Sequence, residues 1–184
     1  MSIGVMGYQG GSDIHIAALT ELNIPCKKIY KPEDFVGLQG LIMPGGESSV
    51  QYKYAITYGI RQAICEFARS GKPIFGTCAG VILLSRYQSP KVTGFGLLEV
   101  NVERNTYGRQ IVSGTHKSDQ GKEVLFIRAP GIIEIGKDVE VIDTYQGKPI
   151  VVRQGNIYGA TFHPEAINLD KENLLWQIFG EENA

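Results

Sequence analysis

Two short segments carry residues whose types and spacing could do covalent chemistry together. In KPIFGTCAGVILL, Lys72 to Leu84, Cys78 stands between two apolar runs, with Gly76 and Gly80 two residues to either side. In ATFHPEA, Ala160 to Ala166, His163 follows an apolar run and Glu165 lies two positions on. A thiol acts as a nucleophile when a base takes its proton, and the base works best when a third group orients it.

If Pro73 to Phe75 is a strand and Val81 to Leu84 is helical, Cys78 sits on the turn between them. G-x-C-x-G is then the cysteine form of the G-x-S-x-G elbow, where a flanking side chain would meet neighbouring backbone. The free N–H groups and dipole of the following helix favour thiolate over thiol and can hold an oxyanion, with the amide of Ala79 in that position. A buried structural cysteine is the plainer reading, and it suffices for Cys26 and Cys65, which lie in apolar-periodic segments. It does not explain the two glycines around Cys78.

Three histidines compete for the role of base. His15 falls within the first expected helix and reads as a satisfied, partly buried ring. His116 falls in a polar stretch and reads as solvated. His163 stands at an expected strand end, and Pro164 pushes it toward extended geometry. Residues i and i+2 of an extended segment point the same way, so Glu165 can accept the ring N–H of His163. Alone, H-P-E could be a surface turn; with the elbow in the same chain it reads as the triad Cys78–His163–Glu165. No Cys/His cluster has zinc spacing, so no metal is expected.

A third segment, Pro44-Gly45-Gly46-Glu47-Ser48, also follows an expected strand. Ligands of open parallel sheets bind beyond the carboxyl ends of the strands, and the Gly46 amide could be a second oxyanion donor. The segment lacks the lysine and spacing of a phosphate loop. A plain turn with Ser48 or Ser49 capping a helix is the simpler alternative.

The surrounding pattern supplies elements to position these residues. Strands are expected over Ser2 to Met6, Cys26 to Tyr30, Leu38 to Met43 and Pro73 to Phe75. Helices are expected over Ser12 to Leu22 (capped by Ser12 or Asp13), Tyr58 to Arg69 and Ala79 to Tyr87, with Gly71 closing the second. This alternation predicts a parallel sheet covered on both faces. Later, Gly96 to Glu103, Glu123 to Arg128, Val139 to Tyr145, Pro149 to Gln154 and Ile157 to Phe162 read as strands joined by tight turns, and Lys171 to Phe179 as a closing helix. Val112 to Lys122 reads as loop. The expected architecture is α/β, a flavodoxin-like three-layer sandwich with a mostly parallel central sheet and an added antiparallel portion. One domain over residues 1–184 is expected.

The 184 residues carry a formal net charge of −1, so nothing points to nucleic acid or an anionic membrane. No stretch has the length of a membrane span, and the N-terminus lacks a signal-peptide pattern. Three cysteines do not make a disulfide framework, and a cytoplasmic setting is expected.

PGGES, GTCAG and HPE, in this order and spacing, resemble the class I, triad-type glutamine amidotransferases. More narrowly the chain resembles the glutaminase subunits of the pyridoxal 5′-phosphate synthases. That resemblance rests on GYQG (Gly7 to Gly10), PGGESS (Pro44 to Ser49), GTCAGVILL (Gly76 to Leu84), GLLEVNVERNTYGRQ (Gly96 to Gln110), FIRAP (Phe126 to Pro130) and TFHPE (Thr161 to Glu165). It implies that Cys78, His163 and Glu165 are the triad. It also implies that Gly46, Glu47, Ser48, Arg104, Ile127 and Arg128 hold the substrate glutamine, and that Gln9 lies near the oxyanion region and the synthase interface. No cofactor is implied. The implied partner is the synthase subunit, in a hetero-oligomer in which the glutaminase is nearly idle until docked. Departures from the family pattern are Ser48-Ser49-Val50-Gln51-Tyr52-Lys53 where basic residues are usual, Ile14 before His15 in place of an acidic residue, and Ala166 after H-P-E. These touch partner contact more than chemistry. The rival readings are a glutaminase for a different synthase, a cysteine hydrolase or peptidase on a related elbow, and a catalytically silent scaffold.

Overall fold

A computed structural model describes residues 2–8, 11–104, 106 and 114–180. Five parallel strands, β1 (Ser2–Met6), β2 (Cys26–Ile29), β3 (Leu38–Met43), β4 (Ile74–Thr77) and β11 (Ile157–Ala160), form its centre. Antiparallel β10 (Lys148–Gln154) and β9 (Glu140–Tyr145) extend one edge. The resulting seven-stranded sheet has the order β2-β1-β3-β4-β11-β10-β9. The parallel order is the flavodoxin-like one, in which a crevice opens where the strand order reverses.

The central strands are buried on both faces, as parallel strands require. Successive residues of β4 serve opposite cores: Ile74 belongs to one apolar cluster and Phe75 to the other. Helices α1 (Gly11–Glu21) and α5 (Leu174–Phe179) cover one face through Ala18, Leu19, Leu175 and Ile178. Helices α2 (Ser48–Thr57), α3 (Ile60–Arg69) and α4 (Ala79–Leu84) cover the other through Ala55, Ile60, Ile64, Val81 and Leu83. Two small antiparallel pairs, β5 (Val100–Glu103) with β8 (Gly131–Ile135) and β6 (Gly114–Lys117) with β7 (Glu123–Phe126), complete the added portion.

Several expectations are corrected. Helix α2 is a separate helix where none was read as an element. Its buried face is Ser48, Gln51 and Ala55, while Val50, Tyr54 and Ile56 are exposed, which inverts the usual apolar stripe. Helix α4 stops at Leu84 rather than Tyr87, because amides of Phe95, Leu97 and Leu98 take the carbonyls of Leu83 and Leu84. That segment therefore turns back on α4, and the strand expected from Gly96 begins only at Val100. Ser12 and Asp13 lie inside the first turn of α1, not at its cap, and α5 starts at Leu174 with the Asn173 side chain accepting from the Leu175 amide. Strands β6 and β8 were not expected: Gly114–Lys117 is polar and alternates between half-buried and exposed positions. Of the rest of that expected loop, residues 118–122 do form a turn, and residues 112–113 lie outside the described residues. Gly71 does close α3, at φ +74.

At Gly80 a Cβ would lie 2.0 Å from the Met43 carbonyl oxygen and 2.9 Å from its carbon. Helix α4 therefore touches the end of β3 backbone to backbone. Gly80→Ala is expected to cost about 3 kcal/mol or more in urea denaturation. Wild-type stability in that variant would show that the contact is slack.

Candidate active site

The elbow forms as the glycines predict. β4 ends at Thr77, Cys78 takes φ 48 and ψ −104, and α4 begins at Ala79. A Cβ at Gly76 would meet Leu84 Cδ1 at 2.6 Å and the Gly80 carbonyl carbon at 2.8 Å. Positive φ in a cysteine is strained backbone, held here by the Cys78 amide donating to Ala160 O at 2.8 Å and by α4 packing. The thiol points along the sheet edge, 3.9 Å from the Ile127 carbonyl oxygen.

His163 follows β11, the strand beside β4. Its amide donates to Leu125 O of β7 at 3.0 Å, and its Nδ1–H donates to Glu165 Oε1 at 2.7 Å. The expected i, i+2 alignment of an extended segment is not what pairs them. Pro164–Ala166 is a single 3-10 turn with Pro164 at its first position, and it folds Glu165 back onto the ring. The ring packs over the P-G-G turn: a Cβ at Gly45 would lie 2.6 Å from His163 Cε1 and 3.5 Å from Cys78 Cβ. Glycine at 45 is what lets thiol and imidazole share this corner.

Burial works against a charged His163. Its hydrogen bonds to Cys78 and Glu165, and their charges, outweigh that cost and push the ring from 6.5 up to about 10. Burial likewise opposes ionisation of Glu165, but nearby imidazoles hold its carboxyl below the ordinary range. The site is thus built for an imidazolium hydrogen-bonded to the Glu165 carboxylate beside the Cys78 sulfur.

The P-G-G turn brings Gly46, at φ 138, to the same edge. Sequence reasoning missed what shapes it. Gln51 of α2 is buried, and its Nε2 donates to the carbonyls of Pro44 and Gly45 at 3.1 Å each. Glu47, and not a serine, caps α2 by accepting from the Ser49 amide. Glu47 also pairs with Arg104 at 3.0 Å. Against partial burial, hydrogen bonds from Ser49 and the Arg104 charge hold the Glu47 carboxyl below its ordinary range.

A cavity of about 260 Å³ opens over Cys78, lined among others by Gly46, Glu47, Ser48, Ala79, Arg104, Ile127, Arg128, His163 and Glu165. Every candidate site residue among the described ones therefore lines one space. Gln9 lies outside the described residues. The Ser48 hydroxyl is buried without a hydrogen-bond partner, and Arg128 sits at φ 48 in the loop after β7. Of the other histidines, His116 is half-buried on β6 between the rings of Phe126 and Tyr145, not solvated. His15 is fully buried behind Glu165, a position that no pattern in the sequence signals. Among the described residues no three His, Cys, Asp or Glu side chains converge as a metal site.

A family model described as the SNO glutamine amidotransferase family matches residues 5–182. Curated relatives bearing the name pyridoxal 5′-phosphate synthase subunit PdxT include one from Bacillus licheniformis, 42% identical and covering 98% of this chain and 94% of that protein. Another, from Geobacillus thermodenitrificans, is 40% identical and covers 97% and 93%. A solved glutamine amidotransferase superposes with a TM-score of 0.83 at 39% identity, over 89% of this chain and 90% of that one. A second solved glutamine amidotransferase, from Thermotoga maritima, shares the fold at 16% identity and TM-score 0.62, over 90% and 76% of the two chains.

A ring held above its ordinary 6.5 stabilises the fold fully below that pH and loses the contribution as pH rises toward about 10. The urea-midpoint advantage of wild type over His163→Gln should therefore shrink through that window. An advantage unchanged across it would rule out a charged His163.

Proposed function

Because the chain belongs to the SNO glutamine amidotransferase family, we propose that it hydrolyses L-glutamine to L-glutamate and ammonia with Cys78, His163 and Glu165. The observation that carries the residue assignment is the strained Cys78 elbow facing a ring hydrogen-bonded to Glu165 at 2.7 Å.

The reaction follows from these positions. Cys78 thiolate attacks the side-chain amide carbon. The oxyanion forms beside the amides of Ala79 and Gly46, with Gln9 assigned to the same region by family resemblance. His163, oriented by Glu165, gives its proton to the departing nitrogen and ammonia leaves. The same ring then takes a proton from water, whose oxygen attacks the glutamyl thioester, and the thiolate leaves as glutamate is released. A zwitterionic substrate needs donors and acceptors together; Glu47, Ser48, Arg104 and Arg128, with the backbone of Ile127, supply them around one cavity. None of these steps draws on a cofactor.

Free ammonia would be lost to solvent, and the PdxT relatives are named as subunits of a synthase. We therefore assign this chain a synthase partner in a hetero-oligomer that uses the ammonia for pyridoxal 5′-phosphate. We take residues 1–184 as one glutaminase domain. The cytoplasmic assignment rests on the three free cysteines. Separately, no helix among the described residues is long and apolar enough to cross a membrane.

Glutamate release from L-glutamine is expected to need the synthase partner and to fall at least about 10³-fold in Cys78→Ala. Release without the partner would leave the chemistry and remove the obligate coupling; no release in either case, with tight synthase binding, would leave a scaffold. Arg104→Ala should raise KM about 10-fold or more, with a smaller change in kcat. An unchanged KM would remove Arg104 from the substrate site.

A further inference from the structure

His15 is a buried titratable residue that the mechanism above does not use. It lies on α1, whose sequence neighbours Asp13 and Ile14 are exposed, yet its own ring is fully buried. Each ring nitrogen has a defined neighbour. Nδ1 is 2.7 Å from the Gly11 carbonyl oxygen, which can only accept, so Nδ1 carries a proton. Nε2 is 3.3 Å from Thr77 Oγ1 and 3.4 Å from Glu165 Oε2. That Glu165 oxygen is buried and has no hydrogen bond, whereas Oε1 receives the His163 proton donor at 2.7 Å.

We propose that His15 is a positioning residue for the base: it walls off the Oε2 side of Glu165 without donating to it, leaving Oε1, aimed at His163, as the one hydrogen-bonded oxygen. The proposal rests on the triad reading above. A carboxylate whose second oxygen has no donor keeps more of its charge for the His163 N–H at the first, and a dry wall keeps water off Oε2. Thr77 completes the arrangement by donating its hydroxyl proton to Nε2, so the ring needs no second proton to be satisfied. Thr77 is the residue before Cys78, which ties the wall to the elbow itself.

The titratable groups facing His15 are Glu165 and, beyond it, His163. Complete burial pushes the His15 ring below its ordinary value; the Glu165 charge and the Gly11 carbonyl pull the other way and the His163 charge adds to the lowering. The lowering prevails, because no exposed edge of the ring can be solvated as a cation.

The direct test needs no mutation. Histidine ¹⁵N NMR of the intact chain between about pH 6 and 8 should show His15 neutral with its proton on Nδ1, and His163 protonated on both nitrogens. A doubly protonated His15 in that range would overturn the proposal, since it would then donate to Oε2. The second test is His15→Gln, whose amide N–H reaches toward Oε2. It should lower kcat roughly 10-fold at unchanged KM, and move the acidic limb of the Cys78 alkylation profile upward by about half a pH unit. Unchanged kcat and profile in a variant with wild-type melting temperature would overturn it too. Alkylation requires no glutamine, so the profile decides the role of His15 even if the glutaminase reading fails.

Discussion

The site depends on one contact between main chains. Helix α4 meets the end of β3 at Gly80 and Met43, with no room for a side chain between them. That approach fixes the angle at which α4 leaves β4, and hence the strained conformation of Cys78 between them. It also brings the nucleophile to the turn that follows Met43, where Gly45 makes room for His163. A fold of this type offers a crevice at its carboxyl edge, and here three neighbouring strands, β3, β4 and β11, each deliver one component to it.

Electrostatics act on top of that geometry. The cluster of thiol, imidazole and carboxylate is mostly buried, and burial alone would neutralise the imidazole and the carboxylate. Hydrogen bonds to Cys78 and Glu165 reverse this for His163, and the neighbouring His15 and His163 rings reverse it for Glu165. The outer rim works differently: the Glu47–Arg104 pair is partly exposed and screened, so its contribution is to hold the two side chains across the cavity mouth more than to stabilise the fold.

What the sequence revealed and what it hid divide along physical lines. Strands β1 and β3 were legible to the residue, because strands buried on both faces are mostly apolar, as SIGVM and LQGLIM are. The Cys78 elbow was legible because close approach admits only glycine, and glycine is visible in a sequence. Helix α2 was not, since the face it buries is polar and small and its large side chains point outward. The end of α4 was not, since amides from residues 95–98 set it. The pairing of His163 with Glu165 was read correctly for the wrong geometry, a turn replacing an extended segment. Gln51 and His15 were missed as supports, because what they do depends on partners that only the folded chain brings near.

The place of β11 in the sheet governs how the chain becomes competent. The nucleophile is carried by β4, near the middle of the sequence, whereas the base follows a strand near its end. β11 slots between β4 and β10, pairing Gly159 with Gly76 and Ala160 with Thr77. During synthesis β3, β4 and α4 precede β11, so until this late strand is inserted Cys78 has neither the Ala160 carbonyl that holds its backbone nor a base for its thiol. Such long-range parallel pairing is a slow step in folding. Reactivity is therefore the last property the nascent chain acquires, and a truncated product keeps an idle cysteine.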